Sequence, residues 1–453
     1  MMAHSISVLF FACVVIHAPL ALSAEVPAGA LAAYVAREDG SFRWNKRRDG
    51  SIDRGRYVEL TLVSQIWRDI VWKHQLFIVN PLTSNHETTH ALLVIAGGDW
   101  SDDLEEPTDK STLPKAANLF ATMAEAMQTP VAVLLQVPRQ PMFDGKREDA
   151  IISMTFDKFL ESRDTQWPLL LPMVKSAVRG MDAIQAYAEQ AWGQKIESFT
   201  VTGASKRGWT TWLAGAIDRR VTAVAPMAID MLNMDTHLRH QQTAWGGLSE
   251  KIHDYTERDL HMKLESDVGR TLLGIVDPYQ YREWITQPKL IVIGTNDRYW
   301  PLDALNLYWD ELKGAKHILY VPNNSHWLRD LARVVGSVLA LHRHVGSGQP
   351  LPDLTWRFEQ TSDRIRMRIN SDIEPVKVQA WVATSRTRDF RSALWESYET
   401  ERVDGGYAHE SPVLDGLYTA VFGEAKYTGA TMPFFLSTNV QIGGARDHPS
   451  PGR

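Results

Sequence analysis

Short, nearly uninterrupted apolar runs recur between residues 91 and 322, and they constrain the fold of this chain more than any other feature. Ala91–Ala96, Val131–Gln136, Ser198–Thr202, Val221–Ala225, Lys289–Ile293 and His317–Pro322 each have the length and continuity of a strand buried on both faces of a parallel sheet. Helical periodicity fills Lys115–Met127, Pro172–Trp192, Gly208–Ile217 and Leu328–His344. Two earlier runs, Tyr57–Trp67 and Gln75–Val79, read as antiparallel or edge strands. Strand–helix alternation over about 290 residues predicts one doubly wound, mostly parallel α/β domain, residues 25–346.

Two stretches break the alternation. Residues 230–287 are polar, rich in His and Trp, and helical in tendency; an insertion there would lie as a lid over the C-terminal edge of the sheet. After the linker Gly346-Ser347-Gly348-Gln349-Pro350-Leu351-Pro352 come short alternating strands: Thr355–Glu359, Arg364–Ile369, Val376–Ala383, Tyr418–Gly423 and Pro433–Ser437. They predict a β-sandwich over residues 353–445.

Composition excludes several classes. Of 453 residues, 44% are hydrophobic and 23% charged, which is globular usage rather than that of a disordered chain. A net charge of −6, from 48 basic and 54 acidic residues, argues against general nucleic-acid or anionic-membrane binding. Residues 5–24 contain an apolar run, Ile6–Ile16, followed by small residues, and read as a secretory signal (1–24) although Met1–His4 lacks Lys or Arg. The only cysteine, Cys13, lies inside that segment, so no disulfide framework or cysteine zinc site is expected. No later stretch reaches transmembrane length. The expected location is secreted or periplasmic. With no His-Glu-x-x-His, EF-hand or paired-cysteine pattern, no metal and no cofactor are expected.

The segment Phe199–Thr210 carries the chemistry. A buried strand ends at Gly203, Ser205 occupies the turn, and a helix follows at once, the context of a nucleophile elbow. Its second glycine, Gly208, falls one residue later than in Gly-x-Ser-x-Gly; helix capping by Ser205 is the bland alternative. In the order Ser, acid, His, the acid expected after the strand ending at Gly294 is Asp297, with Asp303 as runner-up. The base expected after the next strand is His326, rather than His317 inside it. Oxyanion donors would be the backbone N–H of Lys206 and that of Gly98 or Asp99, beyond the strand Ala91–Ala96. The Lys206-Arg207 pair could face an acidic substrate or make salt bridges. Among 16 tryptophans, Trp100, Trp209 and Trp300 (with Trp245) are candidates for the substrate pocket, against core packing for each. Asn323-Asn324-Ser325 matches a glycosylation acceptor but reads as incidental beside the proposed base.

Several linked blocks resemble one family. Gly203–Trp212, Ala225-Pro226-Met227 with Asn233-Met234, Ile293–Asp297 and Pro322–His326 together are similar to the PhoPQ-activated pathogenicity-related family, over about Tyr57 to Gly443. The resemblance implies an α/β-hydrolase fold and export, with dipeptidyl-peptidase-like chemistry among the options. The elbow is also similar to that of glucuronoyl esterases, with Lys206 where they carry arginine. The combined expectation is a secreted serine hydrolase, an esterase or a peptidase-like enzyme, acting on a small-molecule or peptide substrate. The alternatives are a vestigial site on a partner-binding protein and, leaving the ordered triad unexplained, a carbohydrate-binding module.

Overall fold

The computed structural model describes residues 28–83, 88–105, 113–114 and 116–444; the signal expected over 1–24 lies outside them. The first strands are β1 (Arg43–Ile52), β2 (Gly55–Trp67), β3 (Ile70–Pro81), β4 (His90–Ile95) and β5 (Val131–Leu134). Next come β6 (Ser198–Ala204), β7 (Val221–Met227), β8 (Lys289–Gly294) and β9 (Lys316–Val321). They lie side by side in the order β1-β2-β3-β5-β4-β6-β7-β8-β9. β1 to β3 are antiparallel, β3 meets β5 antiparallel, and every pairing from β5 to β9 is parallel. This is the α/β-hydrolase arrangement, a mostly parallel sheet with helices on both faces.

The apolar runs explain that placement. Along β8, Ile291 and Ile293 pack into the core on one face while Leu290 and Val292 pack into the core on the other. A strand with no wet face has to be apolar at every position. β1, with the sequence Arg-Trp-Asn-Lys-Arg-Arg-Asp-Gly-Ser-Ile, lies at the opposite extreme: it is mostly exposed, on the sheet edge. Its charges suit an edge that must not pair with another chain, and they hide the strand from a reading based on hydrophobic alternation.

Between β7 and β8 the chain runs through helices at Met234–Trp245 and Asp267–Val276 with shorter turns between them. The tail adds β10 (Leu354–Gln360), β11 (Arg364–Ser371), β12 (Lys377–Ser385), β13 (Glu396–Glu399) and β14 (Glu401–Val403). It ends with β15 (Gly406–Pro412), β16 (Tyr418–Tyr427), β17 (Phe434–Ser437) and β18 (Gln441–Gly444). One antiparallel sheet runs β10-β11-β15-β14; the other runs β17-β16-β12-β13 and joins the main sheet through a single pair, Ser437 with Ile318. In β11 the alternation is strict: Ile365, Met367 and Ile369 are buried, facing Val421 and Ala425 of the other sheet, while the arginines between them face out. The buried Glu424 of β16 takes both Arg333 Nε (2.8 Å) and Nη2 (3.1 Å) from the helix Leu331–Gly346, tying sandwich to hydrolase domain.

A pair of stacked imidazoles joins the same helix to β4. The rings of His90 and His342 are 4.4 Å apart; His90 contacts Ser198 Oγ (2.8 Å) and Thr200 Oγ1 (2.9 Å), and His342 contacts Thr129 Oγ1 (2.8 Å). Burial lowers the pKa of His90 to about 4 and takes that of His342 well below its ordinary value. Between pH 6.5 and about 4 the unfolded chain binds protons there that the folded chain refuses, so stability falls as pH falls through this window. Each such group contributes a slope of about 1.4 kcal/mol per pH unit. His342→Gln should therefore flatten the dependence of urea-derived stability on pH between 6 and 4.5 by about that amount. Equal slopes in variant and parent would show that the pair is not held neutral.

Candidate active site

Ser205 caps the N-terminus of the helix Lys206–Ile217 with φ 58° and ψ −129°, a conformation that L-residues rarely adopt. The turn survives because strand and helix are pressed together: a Cβ at Gly208 would lie 2.8 Å from Met227 O and 2.9 Å from Gly203 O. The displaced second glycine of the elbow is thus the close-packing residue here. Ser205 N–H donates to Met227 O (2.8 Å), and the half-buried hydroxyl has no hydrogen-bond partner among the described residues.

Because β6, β8 and β9 are parallel, the loops that follow them leave the sheet at one edge. Asp297 follows β8 and His326 follows β9, and His326 Nδ1 meets Asp297 Oδ2 at 2.8 Å. Asp297 is buried, and its other oxygen accepts the N–H of Tyr299 (2.9 Å). The two loops are stitched together by Asn296 N–H to Asn324 O (2.9 Å) and Asn323 N–H to Thr295 Oγ1 (2.9 Å). Gly294 is obligatory there, since a Cβ would stand 2.4 Å from Asn324 O. The runner-up acid, Asp303, belongs to another pairing: it holds His240 Nε2 (2.7 Å) and Arg388 (2.6 Å). His317 lies half-buried in β9, and its surroundings, by desolvation, lower its pKa to about 4.

The Tyr299 ring joins the serine to the His–Asp pair. It stacks on His326 at 4.2 Å and, with Ser205, lines a partly open, largely apolar pocket of about 80 Å³. Phe156, Trp209, Ile229 and Met231 supply the floor; Leu238, Ile252, Leu260 and Leu264 come from the insertion. Trp209 and Trp300 are in this wall. Trp100 is not: it is buried elsewhere, its indole N–H near Asp102 (3.3 Å) and Lys73 over its ring. Trp245 lies under the Arg391 guanidinium at 4.1 Å.

β4 and β6 are neighbours, with Ile95 opposite Gly203, so the loop bearing Gly98 and Asp99 emerges beside the elbow. Gly98 has φ +119°, and the N–H groups of Gly98, Asp99 and Lys206 donate to no described residue. The Asp99 carboxylate is held by Gln140 (3.2 Å) and Arg147 (2.9 Å). Both cations after Ser205 are committed internally. Arg207 makes two 2.7 Å bonds to Glu148, and Lys206 Nζ lies 2.7 Å from Glu148 and 3.4 Å from Asp149. Burial alone would raise the Glu148 pKa, but hydrogen bonds and charge from Arg207 and Lys206 bring it down to about 2.

Several pocket residues carry no signal in the sequence. Glu148 and Asp149 open a helix after a polar turn, where acids are common; their use as a clamp shows only in three dimensions. His237 and Gln241 lie one helical turn apart, with Gln241 bonded to His237 Nε2 (3.0 Å), Tyr299 O (3.0 Å) and Ser249 N (2.9 Å). Burial lowers the His237 pKa to about 3, keeping it neutral. Among the described residues no helix is long and apolar enough to cross a membrane.

A family model described as PhoPQ-activated pathogenicity-related protein matches residues 31–391. Autocrine proliferation repressor protein A of Dictyostelium discoideum is 30% identical over 444 aligned positions, taking in 90% of this chain and 88% of that protein. Similar solved structures include an acetyl xylan esterase from Paenibacillus sp. R4, 14% identical with a TM-score of 0.46, covering 65% of this chain and 86% of that one. A glucuronoyl esterase from Solibacter usitatus is 13% identical with a TM-score of 0.38, covering 69% and 91%. With the family model matched over 31–391 and that identity to a relative along most of both chains, the protein belongs to the PhoPQ-activated pathogenicity-related protein family.

Proposed function

We propose that this protein is a secreted or periplasmic serine hydrolase that cleaves an ester or amide of a small-molecule or peptide substrate. The observation that carries the reading is the Asp297–His326 bond at the sheet edge where Ser205 occupies a strained elbow. Ser205 Oγ attacks the carbonyl carbon as His326 Nε2 takes its proton; Asp297, bonded to Nδ1, holds the tautomer and stabilises the imidazolium. Lys206 N–H and an N–H of Gly98 or Asp99 receive the developing oxyanion. His326 then protonates the leaving alcohol or amine, and water, deprotonated by His326, releases the acid from the acyl-enzyme. Export rests on the signal-like residues 5–24.

The 80 Å³ pocket sets a size for the bound group. It is roughly half the cavity of about 150 Å³ that takes up benzene, so a short aliphatic group fits and a long chain does not. On p-nitrophenyl esters, kcat/KM should rise from acetyl to butyryl and drop beyond about eight carbons; a series that keeps rising would remove the pocket from the reading.

One observation favours the second reading, a vestigial site on a partner-binding protein: the Ser205 hydroxyl makes no hydrogen bond to His326. Unliganded hydrolases often tighten that contact only with substrate bound. A fluorophosphonate probe separates the two. The mature protein should label at Ser205, with labelling lost in Ser205→Ala and slowed at least about 100-fold in His326→Ala. A parent protein that stays unlabelled beside a reactive control hydrolase supports the vestigial reading.

A further inference from the structure

The loop between β12 and β13, Arg386–Trp395, belongs to the tail yet bonds to both loops that carry the His–Asp pair. Asn296, the residue before Asp297, donates its amide to Ala393 O (2.7 Å) and Phe390 O (3.3 Å). Asn323, three residues before His326, donates to Trp395 O (2.9 Å) and accepts from Trp395 N–H (2.8 Å), as a strand neighbour would. Neither contact is needed to build the main sheet, and neither asparagine touches the pocket.

Two buried aromatics anchor the loop. Phe390 and Trp395 are 1% and 2% exposed, and Trp395 packs on Phe422 (5.1 Å), which in turn packs on Tyr320 of β9 (5.2 Å). Its outer side reaches the insertion: Arg391 pairs with Glu250 (2.8 Å) and covers Trp245, while Arg388 pairs with Asp303, the partner of His240. Ten residues of the tail thus touch the acid loop, the base loop and the insertion whose side chains wall the pocket.

We propose that the C-terminal sandwich is a positioning element of the active site, with Asn296 and Asn323 as the positioning residues through which the loop Arg386–Trp395 fixes Asp297 against His326. This rests on the serine-hydrolase reading. The two loops are already bonded to each other through their backbones; the amides of Asn296 and Asn323 bond them as well to a third loop, anchored by the buried Phe390 and Trp395, and so restrain them from a second side. A displacement of about 1 Å at a proton-transferring pair can cost 10²-fold in rate.

The test compares the parent with Asn296→Ala/Asn323→Ala, with Asn323→Asp, which keeps the acceptor for Trp395 N–H, and with Tyr398→Ala on an exposed strand of the tail. On a short-chain p-nitrophenyl ester the double variant should lose about 10- to 100-fold in kcat while KM moves less than about threefold. The acid limb of its kcat/KM profile should shift to lower pH, because a loosened Asp297 stabilises imidazolium less. Asn323→Asp should fall between, and Tyr398→Ala should match the parent. Hydrogen–deuterium exchange should rise over residues 295–300 and 322–328 in the double variant alone. Should the double variant fail to fold, Asn323→Asp carries the same readouts. Unchanged kcat, pH limb and exchange in a folded variant would overturn the proposal. A parent that neither turns over ester nor labels, with exchange still responding, would sink the hydrolase reading and leave the tail's hold on the two loops standing.

Discussion

The candidate site depends first on one backbone conformation. At φ 58° and ψ −129°, Ser205 carries strain of about 1–3 kcal/mol that the surrounding structure must over-determine. It does so from three directions. Strand β6 is held between two parallel neighbours, the Ser205 N–H is bonded to Met227 O, and the helix lies so close to the strand end that Gly208 cannot carry a side chain. Relaxing the turn would mean lifting the helix off β7, at the cost of the contacts of Trp212 and Leu213, both fully buried. The helix start then leaves the N–H of Lys206 with no acceptor among the described residues.

The charges behind the elbow answer a question that Lys206-Arg207 leaves open in the sequence. A cationic pair next to the serine of the elbow could in principle recognise an acidic group. In the folded chain Glu148 takes both cations, with Asp149 behind it, and Arg207 is locked in a two-pronged bond. Glu148 itself has φ 52° and ψ −128°, almost the values at Ser205, so a second strained residue braces the first. Recruiting either cation to a substrate carboxylate would uncover a carboxylate held ionised by that same pairing.

What the sequence made legible follows physical rules that act locally. Double-sided burial forces continuous apolar runs, so β4 to β9 could be read directly, and the order Ser205, Asp297, His326 followed from where loops leave a parallel sheet. The illegible parts depend on contacts between distant segments. β1 is charged because it is an edge; β13 and β14 are short and mostly exposed, and β15 is half-buried over most of its length, so none of them offers an alternation to read. Trp100 and Trp209 look alike in sequence, yet one packs by Asp102 and the other walls the pocket. The Asn-Asn-Ser acceptor after β9 reads as incidental; in the fold its first amide is fully engaged by Trp395, 72 residues away.

Two His–Asp pairs stand near the insertion, and their surroundings separate them. His240 and Asp303 are closed off by Arg388, so the carboxylate is shared between a cation and the imidazole. Among the described residues no Lys or Arg pairs with Asp297; its oxygens are taken by His326 and a backbone N–H, leaving imidazolium as the charge it can best stabilise. The same distinction explains why His237, though it faces the pocket beside Ser205, is poorly suited to act as a base: it is buried, has no carboxylate on either ring nitrogen and is held neutral far below the pH at which a base must accept a proton. On the proposed serine-hydrolase reading, charge placement rather than the mere presence of histidine favours His326 as the base, and the tail loop that bonds to Asn296 and Asn323 lies where it can keep that one pair aligned.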